Sequence, residues 1–253
     1  MSQLLLSLIT GIFIGGAAGF LGSLMLPKRM ALAAGPLGHL ALPGIALALL
    51  YGFDISLGAF PFVILGIVII WLYERKTKLP TEALTAVVFA TGVAIAFFFL
   101  PIEQAETALV GDISSVHLGD AVFSIIICII IFYVVETIYP KMILINISED
   151  IAKSQKIDVE KYNLIYLLLI ALIVALGVKV VGGLLTAAIV AIPAATSKNL
   201  AKSLAQYKIL ALSFGILSSA SGILLSQLTK LPAGPLIIVF SSFLFLISIF
   251  LKR

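Results

Sequence analysis

Stretches of close to twenty apolar residues, the length that crosses the hydrocarbon core of a bilayer, recur along almost the whole of this chain. Reading them against charged and Pro/Gly breaks predicts spans near 4–26, 30–52, 55–73, 83–101, 121–139, 163–178, 180–196, 208–228 and 233–251, the seventh short enough to be a partial span. With 62% hydrophobic and 11% charged residues, the chain lacks the polar surface that a water-soluble globule of 253 residues needs. Because further runs follow the first, it is not read as a lone cleavable signal ahead of a soluble domain. The expected fold is all-α and polytopic, with about eight or nine transmembrane helices in a single domain over 1–253.

The basic residues are segregated. Fourteen of the sixteen Lys and Arg fall in the gaps "PKR", "YERKTKLPTE", "YPKMILINISEDIAKSQKIDVEK" and "SKNLAKSLAQYK" and in the terminal "LKR", which leaves Lys179 and Lys230 for the other face. Basic residues resist translocation, so those loops and the C-terminus are expected in the cytoplasm and the N-terminus outside. The outer face then carries Asp54, Glu103, Glu106, Asp112 and Asp120, a set that either attracts a cation or serves only to solvate the loops. Scattered in short loops without aromatic interleaving, the net charge of +4 reads as membrane orientation and not as nucleic-acid binding.

One interruption, 141–162, is too polar to span yet carries Ile143, Ile145, Ile147, Ile151 and Ile157. Ser148 can cap a short helix there, with Glu149 and Asp150 in its first turn, where the helix dipole favours negative charge. Such a segment suits a helix docked on another protein or one lying on the membrane surface. In the first span Gly11, Gly15 and Gly19 repeat every four residues and allow close helix packing. Cys128 reads as an apolar filler, and a single cysteine forms no intrachain disulfide or thiolate cluster.

No GxxxxGK[ST] loop is present, so ATP chemistry has to come from a partner, and no HExxH spacing occurs. "SSASG" around Ser221 is not matched by a histidine base nearby, since His39 and His117 lie far upstream, which disfavours an intramembrane enzyme. His39 is the notable group: an ionisable residue at mid-depth of a span, in "AAGPLGHLALPGIA" (33–46), where Pro36, Pro43 and the glycines would unwind the helix and free carbonyls able to ligate a cation. The alternative is a kink required only for packing.

The stretch "KRMALAAGPLGHLALPGIALALL" (28–50) resembles the signature RRMALxGDALSHAxLPGIALAF of membrane permeases from the ATP-binding-cassette importers of manganese, zinc and iron. "KVVGGLLTAAIVAIPAATSKNLAKS" (179–203) is similar to the pattern KxVGxLLxxALLxIPAATA of that family, and "LPAGPLIIVFSSFLFLIS" (231–248) to its last loop and helix. The resemblance implies a permease homodimer in the cell membrane, a separate cytoplasmic ATPase, an extracytoplasmic metal-binding protein, a divalent metal as transported substrate, and no cofactor on this chain.

It further implies that 141–162 is the coupling segment, with "SEDIAKSQKI" resembling SPDLAxxxGV through Ser148, Asp150 and Ala152, next to Glu149. Lys156 stands where the family commonly has glycine; Glu82 resembles its acidic residue opening the fourth span, with Ala86 in place of the usual glycine. His39 matches the family's metal-path histidine, but the aspartate expected four residues earlier, on the same helical face, is Gly35, and the preceding serine is Gly38. A neutral imidazole with carbonyls suits zinc, copper or nickel better than manganese, which prefers hard oxygen donors, so the expected cargo is a divalent transition metal (zinc, manganese or iron) of open selectivity, with zinc slightly favoured over manganese. A permease turned to a different small solute is the alternative within transport.

Overall fold

A computed structural model describes residues 3–25, 38–53, 55–77, 79–98, 116–182 and 185–252. Among them the secondary structure is helical, with no strand: α1 (Gln3–Met25), α2 (Leu42–Tyr51), α3 (Ile55–Thr77), α4 (Thr81–Phe97), α5 (Leu118–Ile147), α6 (Glu149–Ser154), α7 (Val159–Val181), α8 (Thr186–Leu200), α9 (Leu204–Thr229) and α10 (Ala233–Phe250). Backbone polar groups in hydrocarbon must bond within their own segment, and helices achieve this. Six of the helices, α1, α3, α5, α7, α9 and α10, are long and apolar enough to cross a membrane; α2, α4 and α8 are shorter.

α1 and α7 form the centre. In the apolar window of each, 67% of α1 and 61% of α7 is buried, against about a third of α3, α5, α9 and α10. α1 packs against α9, α5, α8 and α7, while α10 covers α8 and α9. On the far side α2, α3 and α4 pack together, and α3 joins them to the rest through α7.

The small-residue face of α1 explains its central place. A Cβ at Gly15 would stand 2.6 Å from the Gly215 carbonyl oxygen, and one at Gly19 would be driven into the Ala211 carbonyl, so the α1 and α9 backbones touch where side chains would hold them apart. Gly22 continues the face onto α8, against the Val190 carbonyl. The same device joins α2 to α3: a Cβ at Gly44 would meet the Gly58 carbonyl carbon at 2.6 Å, and one at Gly58 would meet that of Gly44 at 2.9 Å.

Six of the expected spans, near 4–26, 55–73, 121–139, 163–178, 208–228 and 233–251, coincide with the six long helices with shifted ends, while those near 30–52, 83–101 and 180–196 fall on the shorter α2, α4 and α8, each partly outside the described residues. Of the long helices α5 departs most: the sequence reading stops the span at Tyr139, before Pro140, whereas the helix runs on to Ile147. Met142 and Ile145 in this extension are buried, and their packing outweighs the one backbone bond that proline removes. The segment 141–162 is therefore the tail of α5, the short α6, a turn, and the first residues of α7. Lys179 lies inside α7, which runs to Val181, and not in the turn that follows.

Gly19→Ala should force α1 away from α9 and cost about 1–3 kcal/mol, the usual range for overpacking. The measurement is the unfolding midpoint in detergent, with Gly119→Ala, whose Cβ meets nothing within 4 Å, as a control shifting stability by no more than about 0.5 kcal/mol.

Candidate functional site

His39 sits at a break. Residues 38 and 39 are helical, 40 and 41 form a turn, and α2 starts at Leu42 with Pro43 in its first turn. Pro43 has no N–H to give the carbonyl four residues earlier, which belongs to His39, so that carbonyl is denied its helical partner. The backbone bonding of α2 is taken up by the Ile45 N–H, which donates to the Ala41 carbonyl at 2.9 Å.

Two neighbours position the half-buried imidazole. Its ring lies 5.2 Å from that of Phe89 on α4, tilted by 41°. The next residue, Leu40, is buried against α3, where a Cβ at Gly66 would lie 2.7 Å from its Cδ1. Together with the Gly44–Gly58 contact this fixes α2 against both α3 and α4. Beside the break a cleft of about 260 Å³ opens between the three helices, lined by Leu40, Pro43, Gly66, Thr91 and Gly92 among others, and its walls are mostly apolar. Phe89 was invisible in the sequence, because no spacing rule links position 89 to position 39.

Gly35 and Pro36 lie outside the described residues, as do Asp54, Glu103, Glu106 and Asp112. Among the described residues no three or more His, Cys, Asp or Glu come together as a metal cluster. Asp120 opens α5, accepting the His117 backbone N–H at 2.9 Å. Glu82 stands in the first turn of α4.

The other sequence-derived residues gather on α6. Ser148 caps it, its Oγ accepting the Ile151 N–H at 3.4 Å. Glu149 and Asp150 are exposed in the first turn, and Glu149 pairs with Lys153 at 3.7 Å across one helical turn. Ala152 faces inward and is fully buried. Next to α6 the structure adds a tie that the sequence did not announce: Arg75 at the end of α3 binds Glu160 at the start of α7 at 3.0 Å and stacks over Trp71, 5.0 Å from its centroid. Only the Trp71–Arg75 half of it, at i and i+4, was there to be read.

The turn after α6 accounts for the glycine of the family pattern. The Ile157 N–H donates back to the Ala152 carbonyl at 3.0 Å and the Lys156 N–H to the Lys153 carbonyl at 2.9 Å, the paired bonds of a Schellman motif. That motif needs a left-handed residue, and here Lys156 takes it, with φ of 60°. Glycine adopts this conformation freely, while a side chain costs about 1–2 kcal/mol. Lys156→Gly should therefore slow amide exchange at Lys156 and Ile157, gaining up to about 1 kcal/mol, and the β-branched Lys156→Val should accelerate it.

The model of the ABC 3 transport family matches residues 1–252. The manganese import system permease protein ScaB of Streptococcus gordonii is 26% identical over 249 residues, 97% of this chain and 90% of that protein. The high-affinity zinc uptake system membrane protein ZnuB of Haemophilus influenzae is 27% identical over 98% of this chain and 97% of its own length. Among solved structures, PsaBC from Streptococcus pneumoniae in complex with Fab superposes with a TM-score of 0.84 at 25% identity, covering 98% of this chain and 91% of the other. The chain belongs to the ABC 3 transport family, as a multi-pass subunit of a transporter in the cell membrane and not an enzyme.

Proposed function

We propose that this chain forms the membrane path of an ATP-driven importer of a divalent transition metal ion, zinc or manganese, working as a homodimer with a separate cytoplasmic ATPase and an extracytoplasmic metal-binding protein. The observation that carries the reading is the break after His39, where an imidazole and a carbonyl without its helical partner stand together inside an apolar bundle. An ionisable side chain is costly at that depth and is kept where an ion passes. The names of the relatives, a manganese permease and a zinc permease, support the same substrate class.

In this reading α6 receives the stroke of the ATPase through Ser148, Glu149 and Asp150, while Ala152, buried on the inner face, seats the helix on the bundle, and the end of the bundle that carries α6 is cytoplasmic. The segregation of basic residues supports that orientation: Arg75 and Lys76 end α3, while Lys153, Lys156 and Lys161 surround α6. With Gly35 in the place of a carboxylate, His39 and its carbonyl hold the ion loosely, which suits a pathway that must also release it. The same glycine keeps a second reading open, a permease for another small solute.

The test is ATP hydrolysis by the chain assembled in lipid with its ATPase and binding protein, with zinc, manganese or iron added in turn. One metal should stimulate the native complex, and His39→Ala should lower that increment about tenfold or more while the complex still assembles. Stimulation that survives His39→Ala removes the histidine from the path. An assembled native complex that answers to no metal assigns the scaffold to another solute.

A further inference from the structure

A second polar cluster lies away from both the His39 break and α6, where α1, α5 and α9 meet. Glu136 and Tyr139 are three residues apart on α5 and share a face; Lys208 stands near the start of α9 and Ser23 near the end of α1. The Lys208 ammonium donates to both carboxylate oxygens of Glu136, at 2.5 and 2.7 Å, and rests 5.3 Å from the centroid of the Tyr139 ring. Ser23 gives its hydroxyl proton to the Phe20 carbonyl at 2.7 Å, so in its 3.3 Å contact with Tyr139 the phenol donates to Ser23 Oγ. The Phe20 ring stacks on that of Tyr139, 6.3 Å between centroids.

The pair is partly sheltered: the Lys208 side chain is 21% exposed, Tyr139 and Ser23 are buried, and only Glu136, at 59%, is open. α5 and α9 both pack on α1, and the Lys208–Glu136 bond reaches from one to the other directly.

Its position along α5 gives the cluster a mechanical meaning. The helix passes into α6 through a single residue, Ser148, so displacing α6 displaces the α5 tail. Pro140 cannot donate to the Glu136 carbonyl, which makes this the weakest joint of the helix. Left to itself the joint would absorb a push from α6. The cluster grips α5 on the far side of that joint and fastens it to α1 and α9.

We propose that Glu136 and Lys208 are positioning residues of the transport cycle, whose bond, seated on Tyr139 and Ser23, makes α1, α5 and α9 move as one body when α6 is driven. This rests on the transport reading given above. α1 ends at Met25, fourteen residues before His39, so the body that is pushed is the one from which the path segment departs.

The experiment uses the full complex in proteoliposomes and reads metal moved per ATP hydrolysed. Glu136→Gln and Lys208→Met should each lower that ratio about fivefold or more, a coupling effect of ordinary size. Lys208→Arg and the charge swap Glu136→Lys with Lys208→Glu should restore it. An unchanged ratio in the assembled single variants overturns the proposal. So does a loss shared by Lys208→Arg and matched by a fall in unfolding midpoint, since that marks a merely structural role.

A second readout does not depend on the metal. Spin labels at the exposed positions Ile126 of α5 and Leu217 of α9 should hold one separation through the ATP cycle in the native complex and a broadened one in Lys208→Met. A native separation that itself changes with ATP, or a variant that matches the native, contradicts the rigid unit. If the labels behave as expected while the native complex moves no metal, the transport reading fails and the clasp stands.

Discussion

The bundle depends on the backbone contact between α1 and α9. With lipid on the outside, burying apolar surface gives helices little reason to prefer each other over acyl chains, and close packing has to supply the preference. Gly15, Gly19 and Gly215 supply it by removing the side chains that would keep the two backbones apart. Gly22 extends the contact to α8, and α1 becomes the axis around which α5, α7, α8 and α9 are arranged.

The same physics holds the path segment. Gly44 against Gly58 brings α2 onto α3, Leu40 is set against Gly66, and Phe89 of α4 meets the imidazole. A helix interrupted at residues 40 and 41 would be a liability in lipid, because a carbonyl deprived of its donor costs several kcal/mol there unless it meets protein or water. Its persistence between two packed helices, with an ionisable side chain at the break, is the physical ground for reading it as a pathway and not as a packing kink. In the proposed cycle force enters at α6, whose buried Ala152 and capped start make it a short rigid element at the end of the long α5.

Much of this was legible in the sequence, and the reasons differ from residue to residue. The glycines of α1 announced a contact face through their spacing, and Ser148 followed by two acids announced a capped helix; both are local signals with a local cause. The length of α5 was not legible, because Pro140 reads as a stop and only the burial of Met142 and Ile145 overrides it. Lys156 could be seen to stand at a glycine position, but its reason appeared only with the backbone angle. Phe89 beside His39, Arg75 with Glu160, and Lys208 with Glu136 were out of reach, since each pair lies far apart in the chain and meets only through the packing of whole helices.

A metal path at His39 requires this residue to face an aqueous passage, which chemical access can test. With Cys128→Ser removing the single native thiol, His39→Cys in the assembled complex would be exposed to a membrane-impermeant thiol reagent, with and without ATP. This thiol should react, at a rate that changes between the two states, as an alternating path requires. A thiol that stays inert in both, in a complex that still hydrolyses ATP, would mean that the helix is broken for packing alone and that the ion crosses elsewhere.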